Sequence, residues 1–250
     1  MQQADRQLIR FALTICLSCS IILSAVAAGL RDRQERESEL DRKRNVLLAF
    51  GQEIRDPDTG RRLSGEVVES IFTSNIREIF FDVDTGEKVP ADQVSQQALQ
   101  DRRQRPLFFW EEDGRPVRFA FPTSGPGLWA PIYGFLALES DLNTIAGITF
   151  YRHGETPGLG GEIEREWFQS QFVGQRMMAD GEPVQFQVIQ GGVSGRYPDG
   201  NPHAVDGISG ATMTGRAVAE FISEDFKTYN SFFERIREAG PESLMVSMNI

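Results

Sequence analysis

From Phe11 to Leu30 the chain carries no charged residue and is mostly apolar, with Arg6 and Arg10 before it and Arg31, Asp32 and Arg33 after it. A helical run of ~20 such residues spans the ~30 Å hydrocarbon core of a bilayer. The same pattern fits a cleaved signal peptide, and Ser18 before Cys19 fits a lipoprotein signal. Against both, the apolar run continues past Cys19 to Leu30, and a charged, helix-like segment follows without a break. That segment, Arg31 to Phe50, turns apolar at Asn45-Val46-Leu47-Leu48-Ala49-Phe50. The pattern predicts a helix that leaves the membrane polar and docks at its far end.

Beyond it, Glu66 to Asn75 reads as a helix. Ile76 to Val83 reads as a strand with Ile79, Phe81 and Val83 on one face, ending at the turn Asp84-Thr85-Gly86. Leu107 to Trp110 and Val117 to Phe121 flank Asp113-Gly114, a hairpin signal. Ile132 to Glu139 and Thr144 to Arg152 flank Ser140-Asp141-Leu142-Asn143 and predict a second hairpin. Glu162 to Phe172 predicts a helix through Ile163, Trp167 and Phe168, and Val184, Phe186 and Val188 alternate as a strand before Gly191-Gly192. The clearest helix comes last. Val218, Phe221, Ile222, Tyr229, Phe232, Phe233 and Ile236 recur at three- and four-residue steps, and only Asp225 interrupts the stripe. Gly240-Pro241 ends it. Hairpins mixed with separate helices predict an α+β fold.

The formal net charge of −10 sets the surface against phosphate backbones, which excludes general nucleic-acid binding. Two cysteines and two histidines are too few for a structural zinc site outside the apolar run, so no metal site is expected and any redox chemistry must come from an organic cofactor. Cys16 and Cys19 form a C-x-x-C pair, but they lie in the apolar run with no βαβ setting and read as small, lipid-compatible residues. His153 and His203 read as surface or loop residues. There is no nucleophile–base pair and no G-x-G-x-x-G fingerprint, so no catalytic residue is assigned. Arg31, Arg33, Arg36, Arg42, Lys43 and Arg44 follow the apolar run, which by charge count keeps the large domain in the cytoplasm. Long domains translocate largely regardless of such charges, so orientation stays open.

The segment Val205-Asp206-Gly207-Ile208-Ser209-Gly210-Ala211-Thr212-Met213-Thr214 directly precedes the last helix. Glycines and small residues let a ligand approach the backbone and leave Thr212 exposed. A helix start offers unpaired N–H groups and the positive end of the dipole, a setting that suits a phosphate. Equally, Ser209, Thr212 or Thr214 serves as a plain N-cap behind a glycine turn.

Asp206-Gly207-Ile208-Ser209-Gly210-Ala211-Thr212 resembles the flavinylation motif D-G-x-S/T-G-A-T of FMN-binding domains at every specified position. The resemblance implies covalent FMN, joined through its phosphate to Thr212 by a flavin transferase. Ser209, Gly210 and Ala211 then shape the turn, Asp206 belongs to the sequence the transferase recognises, and Val205 counts among the cofactor-binding residues. Glu155-Thr156-Pro157-Gly158-Leu159-Gly160-Gly161 resembles the E-T-P-G-L-G loop of the same domains, although taken alone it is equally an ordinary proline–glycine bend. In that family the loop lines the isoalloxazine ring, which implies contacts from Thr156, Gly158 and Leu159 with Glu155 nearby. Gly127-Leu128-Trp129-Ala130-Pro131-Ile132-Tyr133-Gly134-Phe135 resembles the G-x-W-x-x-x-Y-G-F segment found in the C subunits of sodium-translocating NADH:quinone reductases. Leu128 and Trp129 are flavin neighbours on that resemblance; a core tryptophan is the alternative for Trp129.

The resemblance covers essentially the whole chain. It implies a short tail (1–10), a transmembrane helix (11–30), the N-terminal part of a soluble domain (31–120), an FMN-binding domain with antiparallel hairpins and flanking helices (121–240) and a C-terminal tail (241–250). It further implies a single-pass protein of the bacterial inner membrane with its domain in the periplasm. Such a chain relays electrons within a multi-subunit membrane enzyme whose other subunits handle NADH, ubiquinone and sodium. The rivals are the flavin subunit of the related Rnf-type electron transport complex, a membrane-bound flavin sensor, and a purely structural anchored domain. The tryptophan-containing segment and the length of the chain favour the quinone reductase.

Overall fold

The structure is a computed structural model and describes residues 2–246. Met1 and residues 247–250, the end of the expected C-terminal tail, lie outside the described residues. Contacts divide the chain after Arg42. The first unit is the greater part of one helix, α1 (Gln2–Ala49). Among the described residues α1 is the one helix long and apolar enough to cross a membrane. Its stretch from Phe11 to Leu30 is exposed throughout, and Cys16 and Cys19 are free and exposed on it.

The second unit is built on one six-stranded antiparallel sheet in the order β2-β1-β3-β4-β5-β6. Its strands are β1 (Ile76–Asp82), β2 (Lys88–Val89), β3 (Gln104–Glu112), β4 (Arg115–Pro126), β5 (Pro131–Glu139) and β6 (Ile145–Arg152). The predicted Asp113-Gly114 hairpin joins β3 to β4, with φ of 50° and 74° at its two central residues. Left-handed geometry at both positions matches the twist of the strands it connects. The position between 120 and 121, where the resemblance divides the soluble domain into two parts, lies inside β4.

Alternation along β3 explains the layers. Leu107 and Phe109 belong to the core beneath α6 (Thr212–Ala239). There Phe81 stacks on Phe232 at 4.8 Å and Phe121 on Tyr229 at 4.2 Å. Phe108 and Trp110 alternate to the opposite face. They meet Phe72 of α2 (Gly65–Asn75) at 6.3 Å and Phe50, just past the end of α1, at 5.9 Å. Close approach is enforced by absent side chains. A Cβ on Gly125 of β4 would stand 2.4 Å from the Phe221 Cβ, and one on Gly147 of β6 would stand 2.4 Å from the Ala49 carbonyl oxygen. A short helix, α3 (Gln96–Gln100), links β2 to β3.

Asp225, the break in the apolar stripe of α6, is buried and fully used. Its Oδ1 accepts from Arg105 Nη1 at 3.1 Å, and its Oδ2 accepts from Thr123 Oγ1 and the Ser124 N–H, each at 2.9 Å. It therefore ties α6 to β3 and β4. Close by, the Tyr229 hydroxyl donates to the Pro106 carbonyl at 2.8 Å, and burial pushes its pKa up.

Between β6 and α6 the chain is loop-rich. The continuous helix expected over Glu162 to Phe172 is replaced by a 3-10 turn (Gly160–Glu164), α4 (Glu166–Gln169) and a second 3-10 turn (Ser170–Phe172). The backbone is extended at Arg165 (ψ 141°), and the broken path brings Phe168 to Phe150 and Phe172 onto Phe186 while Trp167 stays half exposed. After β7 (Met178–Ala179) and β8 (Glu182–Pro183), the expected strand over Val184 to Val188 is formed only as β9 (Gln187–Ile189). Upstream of it the backbone and side chains bond to α6 instead: Phe186 N donates to Ser223 Oγ and Gln185 Nε2 to the Ala219 carbonyl. β9 pairs in parallel with β10 (Ala204–Asp206), across α5 (Val193–Arg196). A last turn, α7 (Ser243–Val246), follows Gly240.

Candidate functional site

Three loops converge on the first turn of α6: residues 127–130 between β4 and β5, residues 153–161 after β6, and residues 207–211 after β10. The third leaves a strand that is buried at Ala204 and Val205 and enters α6 through the buried Ala211. Val205 is buried and pairs with Val188. The Asp206 carboxylate accepts the Val193 N–H at 2.6 Å. Ser209 and Gly210 are exposed, and Gly210 sits at φ 75°. That left-handed turn, which favours glycine, aims the chain into α6.

Thr212 is the first residue of α6 and is exposed. Its hydroxyl donates to Gln190 Oε1 at 3.0 Å. The N-cap is Ala211, and no side chain caps the helix. The plain N-cap alternative for Ser209, Thr212 and Thr214 is therefore not realised. Thr214 is buried, and its hydroxyl donates to Glu155 Oε2 at 2.6 Å.

Glu155 connects the loops. Its Oε1 accepts the Leu128 N–H at 2.7 Å and lies 3.4 Å from the Trp129 N–H. The Gly127 N–H closes the same loop on the Ala130 carbonyl at 3.1 Å. The Thr156 carbonyl accepts from Leu159 and Gly161, folding Thr156 to Gly161 into a tight bend in which Thr156 and Gly158 are exposed. Leu159 reaches toward the third loop: a Cβ on Gly210 would stand 2.9 Å from its Cδ2. Trp129 is 71% exposed, Leu128 56% and Leu159 44%. The core-tryptophan alternative for Trp129 is thus excluded. His153 lies in a loop, as expected, but its ring is almost wholly buried. Its Nδ1 accepts the Glu155 N–H at 3.1 Å, while Nε2 lies 2.8 Å from a Glu164 oxygen without the alignment of a hydrogen bond. His203 Nδ1 lies 2.8 Å from the Arg176 carbonyl oxygen.

Beside Thr212 a groove of about 790 Å³ runs between α6 and β9, lined among others by Gln190, Arg196, Arg216, Glu220 and Lys227. A volume of this order is typical of small-molecule sites. Sequence reasoning passed over Gln190 and Arg216, and weighed Thr214 only as an N-cap. For Arg216 a signal existed, since the spacing from Thr212 is one helical turn and puts both on one face. Gln190 comes from a distant loop and leaves no local trace.

Residues 127–224 match the family model of the FMN-binding domain, a span that takes in the three converging loops and the first half of α6. Fold and site together define an FMN-binding domain in a chain with one long apolar helix. The chain belongs to the NqrC family, the C subunits of the Na(+)-translocating NADH-quinone reductases. It is 32% identical to the Yersinia pestis member over 251 aligned positions, covering 90% of each chain. It is 33% identical to the Vibrio anguillarum member, covering 91% of this chain and 93% of that one. Among solved structures, the Parabacteroides distasonis member matches with a TM-score of 0.67 at 30% identity, over 81% of this chain and 96% of that one. Shewanella oneidensis NqrC matches with a TM-score of 0.69 at 26% identity, over 82% and 99%.

Proposed function

We propose that this chain carries FMN as a phosphoester on Thr212 Oγ1 and relays electrons within a membrane NADH:ubiquinone reductase that couples their flow to sodium export. The observation that carries the reading is the position of Thr212. The last residue of the D-G-I-S-G-A-T run is exposed at the first position of α6 beside a groove, in the helical turn that Thr214 ties through Glu155 to the Leu128-Trp129 loop.

The residues present fit the group. The start of α6 has no side-chain cap, so its first N–H groups and the helix dipole favour a phosphate. Arg216, one turn on, supplies a positive charge on the same groove, and Gln190 holds the hydroxyl in place. Ser209, Gly210 and Ala211 form a turn low enough to leave the ester reachable. Val205 and Asp206 brace that turn from β10 and form part of what a flavin transferase reads. Exposed Leu128, Trp129 and Leu159 offer aromatic and aliphatic faces to a planar ring, and Thr156 and Gly158 offer backbone groups at its edge. FMN supplies one- and two-electron chemistry; the protein fixes where it happens and keeps the carrier from diffusing away. The apolar part of α1 anchors the chain in the bacterial inner membrane, with the domain on the periplasmic side. The partners are the other subunits of the complex and the maturing transferase.

Coexpression of the chain with a flavin transferase, followed by a denaturing gel under ultraviolet light, tests the attachment. Wild type should fluoresce and Thr212→Ala should lose the signal entirely. Equal fluorescence from both would show that the flavin is attached elsewhere.

A further inference from the structure

Glu155 ties together the loops that the flavin reading assigns to the cofactor. It is 6% exposed, and both carboxylate oxygens are engaged by the protein. Oε1 takes the backbone N–H of Leu128 at 2.7 Å and lies 3.4 Å from that of Trp129, and Oε2 takes the Thr214 hydroxyl at 2.6 Å. All these donors are neutral, and among the described residues no ion pair is recorded for Glu155. A buried carboxylate is costly unless its lone pairs are filled. The surroundings are shaped to it: a Cβ on Gly127 would stand 2.6 Å from Oε1, and one on Gly160 would stand 2.6 Å from Oε2.

What the carboxylate holds gives it a role. Leu128 and Trp129 are largely exposed, so little side-chain packing fixes their loop. Thr214 lies in the same rigid helical turn as Thr212. We propose that Glu155 is a positioning residue: its carboxylate sets the Leu128-Trp129 loop against the first turn of α6, and so fixes the ring seat relative to the attachment oxygen. The proposal rests on the flavin reading above and adds to it a carboxylate that acts without touching the flavin.

The test uses the full chain in detergent, as Glu155→Ala, Glu155→Gln and Thr214→Val beside wild type. Amide hydrogen exchange of Leu128 and Trp129 is measured without flavin, and visible circular dichroism is measured after coexpression with the transferase, per attached flavin. Glu155→Ala should exchange those two amides about tenfold or more faster, the loss of protection expected when such a hydrogen bond is removed. It should also lose most of the flavin's induced dichroism. Glu155→Gln can still accept from Leu128 N–H and can donate to the Thr214 hydroxyl, so it should stay close to wild type. Thr214→Val, which removes one bond and keeps the shape, should fall between, and it decides the matter by the same exchange measurement if Glu155→Ala does not fold. Unchanged exchange and dichroism in Glu155→Ala, or Glu155→Gln failing as Glu155→Ala does, would overturn the proposal. A wild type without flavin on Thr212 would sink the flavin reading instead, while the exchange arm would still judge the clamp.

Discussion

Two carboxylates lie almost out of reach of water along α6, and they are held in opposite ways. Asp225, in the middle of the helix, has a cationic partner in Arg105, whose guanidinium also lies over the Tyr229 ring, and it takes further bonds from Thr123 and Ser124. Phe121 and Tyr229 of the same core are fully buried. Glu155, near the start of the helix, has only neutral donors, and the loop it holds carries side chains open to solvent. Burial alone therefore does not tell what a polar residue does. The distinction lies in what is held: Asp225 fixes strands against a helix within a closed core, and Glu155 fixes an exposed surface against an exposed hydroxyl.

The sharpest way to break that contrast is Asp225→Ala. It strands Arg105 in the core and should destabilise the protein by about 3–5 kcal/mol in denaturant unfolding of the detergent-solubilised chain. A loss below about 1 kcal/mol would mean that the pair is no more than a surface-like contact. Gly125→Ala probes the closed core by volume. Its Cβ would enter Phe221 at 2.4 Å, and the expected cost is about 1–3 kcal/mol by the same measurement. The smallest effect belongs to Asp141→Asn, at the β5–β6 turn. Partial burial opposes charge on Asp141, but bonds from the Thr144 hydroxyl and N–H and the Asn143 N–H, with Arg176 nearby, outweigh it and hold the carboxyl below its usual range. A lowered folded-state pKa gives stability that is present above the unfolded value and lost as pH falls through the folded one. The variant should cost about 1 kcal/mol or less at neutral pH. It should also lose less additional stability than wild type between about pH 5 and pH 3.

Long periodic elements were legible in the sequence because a single face decides them. Period-two alternation marked β1, and Asp113-Gly114, left-handed at both positions, marked the turn between β3 and β4. The stripe from Val218 to Ile236 marked α6. The segment from Glu162 to Phe172 was misleading because its apolar residues sit at helical spacing yet are buried by separate short turns against Phe150 and Phe186. The strand around Phe186 was mostly lost because its backbone bonds to Ser223 of α6, a partner that no local pattern shows. The three motif blocks were readable as a resemblance, and the structure brings them together. The inward turn of Glu155 was not readable, since burial of a loop carboxylate depends on glycines and donors that come from elsewhere in the chain.

The order of these elements along the chain has a cost of its own. The six strands of the sheet are complete by Arg152, whereas the helix that covers their phenylalanines begins only at Thr212. The Arg105–Asp225 bond joins residues 120 positions apart, and contacts of such long range are slow to form. While the chain is still being synthesised, or if it is cut before α6, Phe81, Phe109 and Phe121 lack their cover. Such a nascent sheet is an aggregation hazard until the closing helix arrives.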